Sequence, residues 1–151
     1  MRKVFVVTSV LLVASGVVQL YFAAFGVFSH PENFDPHGVN GRMILPALAL
    51  LNIIAAAIAR AGGRTIGFSV LPLVLILFQT VLFIITGAIF GVGPESETVP
   101  VGASILLGLH GINGLAIIGV SGALVSRAVR LDRTGSAVKT RADTRVTAAA
   151  R

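Results

Sequence analysis

From Val4 to Phe28 the chain runs without one charged side chain, and it does so again over 43–59, 65–94 and 98–126. A helix needs roughly 20 consecutive apolar residues, with a range of about 17–25, to cross the hydrocarbon core of a bilayer. Each run reaches that length. In a chain of 151 residues, 55% apolar and only 12% charged, too little polar surface remains to wrap a soluble core. With no water in the bilayer to satisfy backbone groups, a helix is the natural form for such runs. The sequence therefore predicts an all-α integral membrane protein, a four-helix bundle with spans near 4–28, 36–60, 65–91 and 100–127.

The charged residues give the topology. Of twelve Lys and Arg, all but Arg42 lie at the N-terminus, between the second and third apolar runs, or from Arg127 onward. Glu32, Asp35, Glu95 and Glu97 fall in the other two connections. Basic residues favour the cytoplasmic side, so both termini are expected inside a multi-pass plasma-membrane protein. The net charge of +6 is then a topology signal and no nucleic acid is implied. Arg2 and Lys3 before an apolar run also resemble a signal peptide, with a tolerable cleavage site at Val13-Ala14-Ser15, but the run continues too far beyond that site for one. We read it as an uncleaved first helix. Domain 1–130 is the bundle, and 131–151 is expected to be a disordered basic tail that rests on anionic lipid headgroups.

One word is written twice. His37-Gly38-Val39-Asn40-Gly41 on the second run returns as His110-Gly111-Ile112-Asn113-Gly114 on the fourth. At helical pitch the His and Asn share a face, with small residues beside them that let helices approach closely. Gln19 on the first run and Gln79 on the third add a fainter match. The bundle thus reads as a duplicated two-helix unit, its copies running in the same direction across the membrane.

Depth selects candidate site residues. Counting roughly 1.5 Å per residue from Arg60, Arg127 and the starts of the first and third runs puts Gln19, Gln79, His110 and Asn113 in one layer, with His37 about 9 Å further out. Polar side chains inside a membrane commonly face the bundle or a cavity. The plain alternative is that the amides and the imidazole bond across helices as glue, each contact contributing about 0.6 kcal/mol. A b-type haem held by His37 and His110 is a further possibility, since two histidines on two helices of a bundle are a familiar ligand set and the adjacent glycines would admit a flat macrocycle. The 9 Å offset stands against it. No cysteine exists to hold metal or act as a nucleophile, no span carries Asp or Glu, and no spacing of His and carboxylates marks a bare metal site.

With these motifs placed, the chain resembles an uncharacterised family of small four-helix membrane proteins found mainly in actinobacteria. The resemblance rests on Gln19 with Gly26-Val27-Phe28, His37 with Gly41, Gln79, and Leu109-His110 with Asn113, and it covers about residues 3–130. It implies the four-helix architecture and carries no activity. A looser likeness to cytochrome b membrane subunits rests on His37 and His110. No catalytic constellation is visible, so the sequence leans away from an enzyme. It favours an accessory or structural subunit of a membrane complex, whose partners are the bilayer and other membrane-protein subunits. The alternatives are a haem-binding electron-transfer protein and a bundle that binds or transports a small ligand.

Overall fold

Four helices long and apolar enough to cross a membrane account for the chain: Arg2–Phe28, Glu32–Ile58, Gly63–Phe90 and Val101–Thr134. We call them α1 to α4 in that order. The computed structural model describes residues 1–93 and 96–149, with side chains through Thr134 except that of Pro31. No strand occurs among the described residues. The helical assignment of α4 runs over Val101–Ala149. The expectation of a disordered basic tail falls mainly on side chains outside the described set.

Each helix packs on its two neighbours in a closed square: α1 on α2 and α4, and α3 on α2 and α4. That leaves α1 and α3 on one diagonal and α2 and α4 on the other. The outward faces are apolar throughout, with Val7, Leu51, Leu77, Ile84 and Leu115 all exposed. Such a belt suits lipid and would be costly in water. Tyr21, Phe25 and Phe28 are exposed near the far end of α1, where interfacial aromatics belong.

The two halves of the bundle differ in filling. Toward the chain termini, Phe5, Ala55, Ala56, Ala59, Leu124 and Ala128 pack into one buried cluster. Above it, Leu12, Leu45, Ala49, Ile76 and Ile117 close the centre. The many alanines let the helices approach closely, the usual device where no hydrophobic effect drives association. Asn52, fully buried in this half, donates to Ser9 Oγ at 2.8 Å and Thr8 Oγ1 at 3.1 Å.

Two terminations explain the connections. Arg60 adopts φ 53°, Arg60 N–H donates to Ala57 O, and Ala61 N–H donates to Ala56 O. That pair of bonds is the Schellman ending, which prefers glycine at the left-handed position. At the other face Gly91, at φ 64°, ends α3 with its N–H on Gly87 O. The second span is less regular than the sequence implied. A 3₁₀ turn over Pro31–Phe34 leads in, and no side chain caps the helix that follows from Asp35. It continues as α-helix over Asp35–Val39, as a π-helical turn over Asn40–Ile44, and as α-helix again over Leu45–Ile58. The wider turn ahead of Pro46 is closed by Leu45 N–H on Asn40 O. It lies just ahead of a residue that lacks an N–H of its own.

Candidate functional site

The α1–α2 pair is joined by a polar cluster around the first copy of the repeated word. Gln19 Nε2 donates to His37 O at 3.0 Å, and Asn40 Nδ2 donates to Gln19 Oε1 at 2.7 Å and Ser15 O at 3.1 Å. Ser15 Oγ returns a bond to Asn40 Oδ1 at 2.8 Å. The α3–α4 pair repeats the geometry. Gln79 Nε2 donates to His110 O at 3.0 Å, and Asn113 Nδ2 donates to Leu75 O at 2.8 Å. Ser15 and Leu75 each sit one helical turn before their glutamine, so the same backbone positions accept in both pairs.

The two clusters meet across the α2–α4 diagonal. The imidazoles of His37 and His110 lie with ring centroids 5.9 Å apart and planes 58° to one another. His37 Nδ1 lies 3.1 Å from the carbonyl oxygen of Gln19. A carbonyl only accepts, so Nδ1 carries the hydrogen of this bond, and it is Nε2 that has the lone pair whenever the ring is neutral. Phe83 meets His110 edge-on at 5.1 Å and Phe34 meets His37 at 6.2 Å. His110 Nδ1 and Gln79 Oε1 are buried without a hydrogen-bond partner among the described residues.

Around the imidazole pair the bundle is hollow. A cavity of about 810 Å³ is lined by both histidines, by Gln19 and Gln79, and by Gly38, Gly41, Gly111 and Gly114. It runs from Phe34 and Val99, at the α1–α2 and α3–α4 connections, down to Gly16, Ile76 and Ile117 at mid-bundle. A Cβ added at Gly111 or Gly114 would meet nothing within 4 Å, so the α4 wall is open. On the facing wall a Cβ at Gly41 would lie 2.7 Å from Gln19 Nε2, so glycine there leaves room for the bond from Gln19 to His37 O.

The residues expected in one layer divide their bonds between the two helix pairs: Gln19 is tied to His37 and Asn40, and Gln79 and Asn113 join α3 to α4. One expectation needs correction: the predicted 9 Å offset between the histidines is absent. It came from treating Arg127 as the inner end of α4, whereas the helix continues and Arg127 lays its guanidinium over Phe68 at 4.1 Å. Ala56 and Ala128 share one core cluster, so Asp132 stands opposite Arg60. Those five residues account for about 7.5 Å and the residue taken up by the π turn for about 1.5 Å more. Asn40 and Ser15 were the residues overlooked as site members, although the repeated word already carried the signal for Asn40.

Over residues 19–88 the chain matches a family of unknown function (DUF6220). The DUF6220 match opens on Gln19, takes in His37, Asn40 and Gln79, and stops before His110 and Asn113. No curated protein and no solved structure matches the chain. The fold and the family together describe a multi-pass membrane protein of unknown activity.

Proposed function

We propose that the protein is a b-type haem-binding membrane protein in which His37 and His110 would together hold one haem. The observation that carries this reading is the pair of imidazoles at 5.9 Å in a shared cavity of about 810 Å³. Two imidazoles bonded to one iron at about 2 Å place their centroids roughly 6 Å apart. A bare ion would use the same two nitrogens, but it needs neither the volume nor the open glycine wall, and no group of three metal-ligating side chains occurs among the described residues. Pockets for cofactor-sized molecules run from about 300 to 1,000 Å³.

This chain's residues divide the task simply. Gln19 O fixes the tautomer and ring direction of His37, the kind of support that ligating histidines receive. Gln19 and Gln79 tie each histidine's backbone to the neighbouring helix, so the two rings keep their separation. A haem held between the two histidines would supply one-electron chemistry, which suits electron transfer. With both termini cytoplasmic by the distribution of basic residues, the site lies in the outer half and exchanges electrons on that side. An accessory role alone leaves the paired imidazoles and the cavity unused.

We also infer that the bundle is a duplication. Ser9 and Ser69, Leu12 and Pro72, Gly16 and Ile76, and Gly26 and Thr86 are all buried, each pair separated like Gln19 and Gln79. On α2 and α4, Asn40 pairs with Asn113, then Leu45 with Ile117, Ala49 with Ser121, Asn52 with Leu124 and Ala56 with Ala128. Four residues separate Gly41 from Leu45 and three separate Gly114 from Ile117, so the π turn is a one-residue insertion in the first copy.

The test is the reduced-minus-oxidised spectrum of protein purified after expression with ample haem supply. We expect a Soret band that is lost or changed in form in His37→Ala and in His110→Ala. We also expect it to be absent from Gly111→Leu, which fills the cavity and keeps the helical content. A colourless wild type that binds copper or zinc at the two histidines instead would rule the haem reading out.

A further inference from the structure

Arg42 is the one basic residue that breaks the topological pattern, and it lies in the π turn Asn40–Ile44 that the second copy lacks. A solitary arginine on a span commonly snorkels to the nearest interface. This one is held in place. Its Nε donates to Gly38 O at 3.2 Å, and a Cβ at Gly38 would lie 2.7 Å from Nη2. The glycine of the first word thus makes room for a guanidinium folded back along α2. Arg42 and Gly38 both line the cavity that holds His37 and His110. Of the five N–H donors on a guanidinium, the bond to Gly38 uses one. Asp35 lines the same mouth, so an occupant meets one cation and one anion there, a setting for a single carboxylate and not for a polyanion.

The second copy has no such group. Gly114, which lines the cavity opposite, is followed by Leu115, which is 59% exposed on the lipid face. Arg42, in the turn that holds the extra residue, therefore adds a cation to one side of an otherwise matched pair of walls.

We propose that Arg42 is the anion-recognising residue of this cavity and receives a carboxylate of its occupant. Resting on the haem reading above, that carboxylate is a haem propionate. A guanidinium offers a carboxylate two parallel charge-assisted hydrogen bonds that a neutral ester cannot match. Arg42 thereby fixes which face and which edge of the macrocycle enters, which the near-symmetric histidines do not.

The experiment compares the affinities of haem and haem dimethyl ester for the detergent-solubilised apoprotein, in wild type, Arg42→Gln and Arg42→Lys. Wild type should hold the diacid about tenfold tighter than the diester, Arg42→Gln should reduce the preference to within about twofold, and Arg42→Lys should restore part of it. Arg42 is exposed, so neither substitution should disturb folding, and unchanged circular dichroism would verify that. Full preference retained in Arg42→Gln, or none in wild type, overturns the proposal while haem binding itself stands. If Arg42→Gln instead lowers co-purified phospholipid and leaves the haem-to-diester ratio intact, the arginine serves a lipid phosphate and the proposal is overturned. Wild type that binds neither reagent defeats the haem reading and this inference with it.

Discussion

Asn40 and Asn113 occupy the same place in the repeated word, yet their partners differ. Asn40 is bonded through both its amide nitrogen and its oxygen to Ser15 and Gln19, whereas Asn113 makes a single bond to the Leu75 carbonyl. Replacing Asn40 by Leu leaves Gln19 Oε1 and Ser15 Oγ without their partner in an apolar slab, which should cost about 1–3 kcal/mol. Replacing Asn113 by Leu removes one bond to a carbonyl that already serves its helix, at about 0.6 kcal/mol. Thermal unfolding in detergent should rank Asn40→Leu clearly below Asn113→Leu. Equal losses would mean that the α1–α2 cluster is not the stronger tie. The identities of these residues were legible from the word itself. Their partners were not, because a pairing across helices depends on relative height, and height depended on where α4 was taken to end.

At the scale of the element, the four spans follow closely from the uncharged runs. Burial in a membrane demands length and apolarity, and both are written in composition. The π turn left no such trace, since one inserted residue alters neither. Its register makes a sharp prediction. Deleting Met43, 67% exposed within the turn, should leave a regular α-helix that matches α4 and keeps His37 facing the cavity. Deleting Leu115 from α4 has no bulge to absorb it and rotates the residues on either side by about 100° relative to each other. Size-exclusion profiles in detergent should show the first variant monodisperse and the second aggregated; the reverse order would contradict the insertion. At the other face, Arg60 sits in the left-handed conformation that glycine adopts without penalty. Arg60→Gly should raise stability by about 1 kcal/mol in a denaturant titration, and a loss of stability would count against that backbone geometry.

The whole molecule is a bundle filled at one end and hollow at the other. The alanine-rich cluster of Ala55, Ala56, Ala59 and Ala128 packs the half near the chain's N-terminus, while the glycines around His37 and His110 keep the other half open. Cysteine labelling fixes which end is which. Residues 33 and 96 should label from outside the cell, residues 61 and 140 should not, and the opposite pattern would invert the topology. The asymmetry could not be read from the sequence, because alanine and glycine both register simply as small and apolar; only their placement separates packing from space. What fills that space decides what the protein does. Haem titrated into the purified apoprotein should saturate at one equivalent per chain with a six-coordinate low-spin spectrum. His37→Ala and His110→Ala should each yield a five-coordinate form that takes up carbon monoxide. Failure of the wild type to bind haem, or variants with an unchanged six-coordinate spectrum, would contradict the assignment of the two histidines.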